Sequence, residues 1–202
     1  LVRGAIAAAR PESPGFQPYI ESLDRSVVKG LRRVLHVVDE GISQTDLFRE
    51  NIRALGPAAL PFDICMFARQ LPLAAALIDA CPDVQFVLDH CGNPDVAAGG
   101  YTPWKMALAD VARRPNVVCK ISGLLANTGG PDWQLEMLAP YVETVIECFG
   151  WDRIVWGSDS PVCTLGGSLA IWVAATRALV AGVSAGERER LFRLNAKRIW
   201  RI

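Results

Sequence analysis

The sequence predicts an α/β protein in which parallel strands alternate with crossover helices. Two observations lead there. Short apolar runs that stop abruptly in ionisable residues, Gly or Pro recur along the chain, and stretches of helical periodicity separate them. Strand and helix alternate in this way six times, a pattern that calls for parallel strands joined by crossovers. The chain's 202 residues are 51% hydrophobic with a mean hydropathy of +0.22, which suits one sizeable core. An eightfold barrel takes about 250 residues, or roughly 31 per unit, so this length holds about six and a half units. The expectation is either an open doubly wound sheet or a barrel whose first strands lie outside the sequence, with residues 1–202 forming one domain.

Taken in order, 1–9 is an apolar segment and Pro11 to Gly15 a turn. Pro18 to Arg25 is expected to be a short helix, and Lys29 to Val38 a strand carrying Arg32, Arg33 and His36. Thr45 to Leu55 places Leu47, Phe48, Ile52 and Leu55 on one helical face. Phe62 to Phe67 reads as strand, Leu71 to Ala80 as helix, and the run from Val84 as the strand that ends at Asp89-His90. Thr102 to Arg113 is expected to be helical and Asn116 to Gly123 a strand. Pro131 and Asp132 are expected to open a longer helix in which Leu138, Tyr141, Val142, Val145, Ile146 and Phe149 recur at 3.6 spacing. A strand from Ile154 to Gly157 follows, and then helices over Ser168 to Val180 and from Ser184, whose Glu187 completes a capping box.

Two strand ends carry chemistry. Ile154-Val155-Trp156-Gly157 stops in Ser158-Asp159-Ser160-Pro161, and Phe86-Val87-Leu88 stops in Asp89-His90-Cys91-Gly92-Asn93-Pro94. Loops at the C-terminal ends of parallel strands converge on one crevice, so Asp159 and His90 are expected on a common rim as catalytic groups. The plainer alternatives are an Asp159 that only caps the turn at Pro161 and a His90 buried against a carbonyl. Lys plus Arg and Asp plus Glu both total 21. No field of one sign exists to attract nucleic acid or an anionic membrane, and no apolar run nears the roughly 20 residues of a membrane span. The six cysteines form no C-x-x-C pair. With no secretion leader recognised at the N-terminus, they suggest a reducing, cytoplasmic setting. Only Cys91 and Cys163 flank the expected rim, so a catalytic thiol is sought there.

Several short motifs occur together in order: Lys29-Gly30-Leu31-Arg32, Phe62-Asp63-Ile64-Cys65, the Phe86 to Pro94 run, Asn116 to Gly123, Trp156 to Pro161, and Asn195-Ala196. In this series the chain resembles the amidohydrolase-2 family, TIM-barrel hydrolases that include sugar-lactone and pyrone-dicarboxylate lactonases. The resemblance implies a (β/α)8 barrel lacking its first one or two strands, with the sequence starting near the third. It implies that Asp159 handles the attacking water and that His90 helps bind metal or substrate. The family's His-x-His pair is absent, since His36 and His90 are the only histidines. The implied cofactor is one divalent metal, zinc or manganese, held by His90 and Asp159, or none.

The residues allow the same chemistry. Opening a lactone needs a base for water and a positive group for the oxyanion. Asp159 can be the base, and the positive group a metal or Arg and His side chains. For a hydroxylated or carboxylated small-molecule substrate, Arg32 offers a two-pronged donor to a carboxylate, with a pair to a neighbouring acidic group in the barrel wall as its alternative, and His36, four residues on, is expected on the same strand face. Lys120 is a further substrate-binding candidate, with pairing to Asp63 or Asp89 as its alternative. The rival functions are a metal-dependent decarboxylase on the same barrel and a non-catalytic barrel fragment. Oligomeric state is not readable.

Overall fold

A computed structural model describes residues 2–202. Among the described residues six strands form one sheet: β1 (Ala5–Ala8), β2 (Val28–Val34), β3 (Phe62–Cys65), β4 (Phe86–Leu88), β5 (Val117–Ile121) and β6 (Ile154–Trp156). All neighbours pair in parallel. Their spatial order, β1-β2-β3-β4-β5-β6, is the chain order. A doubly wound sheet reverses its order at a switch point; this one keeps the chain order throughout, so it is an arc of barrel wall.

Strand parity shows the arc directly. Leu31, Phe62, Ile64, Phe86, Leu88, Val117, Cys119, Ile121 and Ile154 belong to the main core, together with the buried faces of the helices. Those helices are α1 (Phe16–Glu21), α2 (Asp46–Arg53), α3 (Leu71–Ala80), α4 (Tyr101–Ala112), α5 (Leu135–Phe149) and α6 (Leu169–Leu179). The alternate positions face the concave side, where Arg32 pairs in register with Asp63, Asp63 with Val87, and Val87 with Val118. Val87, Val118 and Val155 make a separate small cluster with Ile199 and Trp200.

Trp200 closes that concave side at the end of a continuous helical segment: α7 (Ala185–Glu189), a π turn (Arg190–Leu194) and α8 (Asn195–Trp200). A Cβ on Gly30 would stand 3.3 Å from Trp200 Cδ1 and 3.1 Å from Pro61 O, so a residue without a side chain suits this crossing. Asn195 ties the segment to β6, its amide donating to Trp151 O and Ile154 O at 2.7 Å each.

The element order follows the sequence expectation, with three local corrections. The strand expected over Lys29 to Val38 ends at Val34, and Leu35–Val37 is a 3-10 turn. His36 therefore does not share a strand face with Arg32. The helix expected from Pro131 begins at Leu135: Trp133 donates its indole N–H to Gly166 O at 2.7 Å, which holds the preceding segment against the β6–α6 loop. The first apolar segment is a strand, β1. The caps at Thr45, Ser168 and Ser184 all form, each side-chain oxygen accepting from a backbone N–H in the first turn. Among the described residues no helix is long and apolar enough to cross a membrane.

The core is anchored by edge-to-face aromatics, with Phe62 6.3 Å from both Phe48 and Phe86. Phe62→Ala should lower unfolding free energy by about 3 to 5 kcal/mol, while Val162→Ala at an exposed position should change it by less than about 0.5 kcal/mol. Urea unfolding of the two variants compares them, and equal effects would contradict this placement of the core.

Candidate active site

The C-terminal ends of β2 to β6 bring together Arg32, Asp63, Cys65, Asp89, His90, Lys120, Ser122 and Asp159. Their placement begins with the backbone. After β4 the chain turns through left-handed conformations at His90, Cys91 and Asn93, with φ of 55°, 54° and 46°, and after β6 Asp159 has φ 52°. Such geometry costs about 1 to 3 kcal/mol per residue and persists where surrounding contacts impose it. Here Trp104 Nε1 donates to Cys91 O at 2.7 Å and Asn93 Nδ2 to Met66 O at 2.8 Å. On the other loop Trp172 Nε1 donates to Gly157 O, and Cys163 N to Asp159 O, at 2.8 Å each.

The floor of the site is a line of charges. Lys120 Nζ donates to Asp63 Oδ2 at 2.6 Å and to Asp89 Oδ1 at 2.5 Å. Arg32 Nε lies 2.9 Å from Asp89 Oδ2 as an ion pair without hydrogen-bond alignment. Burial works against the charge on Lys120, but Asp63 and Asp89 outweigh it and raise its pKa. Burial pushes Asp63 up against the pull of Lys120. Of the two sequence alternatives for Lys120, the structure contains the ion pair, and with both carboxylates at once.

Above this floor, Arg32 Nη2 lies 3.3 Å from Cys65 Sγ and 3.2 Å from His90 Nε2. His90 Nε2 is 3.6 Å from Asp159 Oδ1, and His90 Nδ1 is 2.9 Å from Ser122 Oγ. Burial lowers the His90 pKa to about 4, with Asp89 opposing and Arg32 and Lys120 adding to the shift. At neutral pH His90 is uncharged. Burial raises Asp159 to about 6, partly offset by Arg32, which leaves it ionised at neutral pH and close to the range where a carboxylate is an effective base.

His36 sits at the margin. Its Nδ1 is 3.5 Å from Cys65 Sγ and its ring stacks on Phe67 at 4.5 Å. Neither thiol expected near the rim reaches the site. Cys91 Sγ is directed at the backbone carbonyls of Lys120 and Ser122, at 3.7 and 3.8 Å, and Cys163 is buried. The thiol in the site is Cys65, which shares the strand parity of Asp63 two residues earlier, a signal present in the sequence. Burial raises its pKa, so it is a protonated thiol. Ser122 was also legible as the residue two beyond Lys120.

Cys65, Asp89 and His90 hold ligand atoms within 4.8 Å of one another, close enough to surround a divalent cation. The guanidinium of Arg32 reaches all three. Since Nε2 has a single lone pair, His90 fits a metal, together with Asp159 3.6 Å away, only when Arg32 Nη2 withdraws. These two donors are fewer than the three protein ligands that catalytic zinc takes.

Lys120→Met would leave two carboxylates facing each other without their shared cation. Removing one partner of a buried pair costs about 3 to 5 kcal/mol. Burial already raises the Asp63 pKa and Lys120 is what opposes it, so without Lys120 this carboxyl takes up a proton more readily in the folded than in the unfolded chain, and the loss should grow as pH rises. Urea unfolding at pH 5 and pH 8 tests this, and an equal loss at both would contradict the electrostatic account.

The sequence matches the amidohydrolase family over residues 1–202. It is 32% identical over 192 residues to the Sinorhizobium fredii protein y4mH, which is uncharacterised, covering 90% of this chain and 64% of that one. It is 32% identical over 179 residues to an L-fucono-1,5-lactonase of Burkholderia ambifaria, covering 86% of this chain and 61% of the lactonase. The chain thus spans somewhat under two thirds of these relatives. An amidohydrolase from Burkholderia multivorans with bound zinc superposes with a TM-score of 0.92 at 25% identity, over 99% of this chain and 74% of that one. With a family match running from end to end and a barrel arc that superposes this closely, the chain belongs to the amidohydrolase family.

Proposed function

We propose that this site opens the ester bond of a small lactone with a water molecule activated by Asp159. The observation that carries the reading is Asp159 Oδ1, ionised at neutral pH and 3.6 Å from the neutral ring of His90, whose Nε2 is held by the guanidinium of Arg32. Among the described residues no donor is hydrogen-bonded to that carboxylate, which suits a water that donates to it. Asp159 takes one proton as the water oxygen attacks the lactone carbonyl. Arg32 faces the developing oxyanion with Nη1, which makes no hydrogen bond or ion pair among the described residues. When the ring C–O bond breaks, the same proton passes from Asp159 to the departing alkoxide. A divalent cation, zinc or manganese, would be held by His90 and Asp159 only with Arg32 Nη2 withdrawn, and would then supply Lewis acidity at the same carbonyl in place of the guanidinium.

The charges favour a neutral sugar lactone over a dicarboxylate. Asp63, Asp89 and ionised Asp159 carry three negative charges, Arg32 and Lys120 two positive ones, and His90 none. Both cations already face carboxylates, which leaves donors for a carbonyl and hydroxyls but no unmatched positive charge for an anionic substrate. The likeness to an L-fucono-1,5-lactonase supports the same choice. In this reading Lys120 acts from below, holding the carboxylate that holds Arg32, and His36 borders the substrate.

Asp159→Asn keeps the size of the side chain but cannot accept a proton, so kcat should fall about 10²- to 10⁴-fold with the fold intact. Steady-state kinetics on sugar lactones measures it, and full activity of the folded variant would refute the mechanism. After chelation, kcat/KM should rise with pH through about 6 as Asp159 ionises and then stay level. No limb near 6.5 should appear from His90, which burial holds at about 4. Faster turnover of pyrone dicarboxylates than of neutral lactones would overturn the substrate assignment.

A further inference from the structure

The contacts of His90 determine where its one proton sits. Arginine carries donors only, so with Arg32 Nη2 at 3.2 Å the accepting, unprotonated nitrogen is Nε2. The proton is then on Nδ1, where Ser122 Oγ at 2.9 Å accepts it. Ser122 is 0% exposed, so bulk solvent does not reach this contact. The next residue, Gly123, has φ +75°, and a Cβ at that position would stand 2.5 Å from His90 Cβ and 3.1 Å from Nδ1. The end of β5 therefore both clamps the imidazole ring and receives its proton.

We propose that Ser122 is a positioning residue: with Arg32 keeping the proton off Nε2, it supplies the acceptor that lets His90 hold the Nδ1–H tautomer, so that Nε2 cannot donate to Asp159 and Oδ1 stays free for the proton of the attacking water. In the opposite tautomer Nε2–H would point at Asp159 Oδ1, 3.6 Å away. Histidine would then donate to Asp159 Oδ1, the oxygen that the attacking water uses in the open arrangement. Arg32 favours the open arrangement from the other side of the ring, since its N–H groups and an Nε2–H would repel each other. Without Ser122, however, Nδ1–H would be a buried donor with no partner, which is unfavourable. The imidazole would then shift its proton to Nε2 and Asp159.

The catalytic half of this inference rests on the lactone-opening reading, while the tautomer itself can be measured without substrate. The chain has two histidines, so long-range ¹H–¹⁵N spectra of the uniformly labelled, chelator-treated protein resolve both rings, and His36→Gln assigns them. The wild type should show His90 as Nδ1–H. Ser122→Ala should show Nε2–H, with kcat on a neutral lactone reduced about 10- to 100-fold, as for other residues that orient a histidine from behind, and KM little changed. Ser122→Thr, which keeps the hydroxyl, should restore the wild-type tautomer. An Nε2–H signal for His90 in the wild type overturns the proposal whether or not any variant folds. So does an Nδ1–H signal that survives in folded Ser122→Ala, or a switched tautomer with unchanged kcat. A wild type that opens no lactone would refute the functional reading alone, because the tautomer is read in the same sample.

Discussion

Asp63, Lys120, Asp89 and Arg32 form one continuous line of ion pairs across the concave face of the sheet, and the geometry of the site depends on it. Lys120 reaches from β5 to the carboxylates of β3 and of the turn after β4, and Asp89 in turn meets Arg32 on β2. Taking such charges out of water costs several kcal/mol per ion before their attraction is counted. The line is therefore poor as a stabilising device by itself. Its effect is to specify positions: with Asp89 fixed by Lys120, the guanidinium has one orientation in which Nε meets Asp89 while Nη2 meets Cys65 and His90.

The stability that offsets this cost lies on the other face of the sheet. There Phe48, Phe62, Phe86, Trp104 and Trp172 are almost wholly buried among aliphatic side chains, and each large side chain fully removed from water contributes about 1.5 to 3 kcal/mol. The two faces thus divide the work, the convex one supplying cohesion and the concave one chemistry. Trp200 belongs to both, since it plugs the concave side from below and places its ring 5.6 Å from Lys120 Nζ. The left-handed residues after β4 and β6 are strained against this rigid background, and the hydrogen bonds from Trp104, Asn93 and Trp172 keep them there.

The electrostatics of the rim follow from depth. His90 and Asp159 respond to burial in opposite directions, because desolvation opposes a positive imidazolium and a negative carboxylate alike. The result is a neutral histidine, its lone pair held by Arg32, beside an ionised aspartate whose lone pairs are open to the site at neutral pH. The guanidinium alongside supplies positive charge without a protonation step, as it stays charged at any physiological pH.

The sequence by itself determined the alternation of strands and helices, because apolar runs of period 2 and 3.6 and their caps are local signals. It also determined which strand ends carry Asp159 and His90, and the motifs in series pointed to the family. Tertiary structure decided the rest, for reasons of distance and direction. Whether the sheet was an open doubly wound one or a barrel arc depended on strand order, which no local pattern encodes. Lys120 could be given two roles from sequence, and only the approach of Asp63 and Asp89 across three strands showed which is present. His36 left the strand face assigned to it because the strand ends at Val34, four residues before the expected end. Cys65 and Ser122 became site residues through parity and strand register together, and the tautomer of His90 follows from two partners 58 and 32 residues away in the chain.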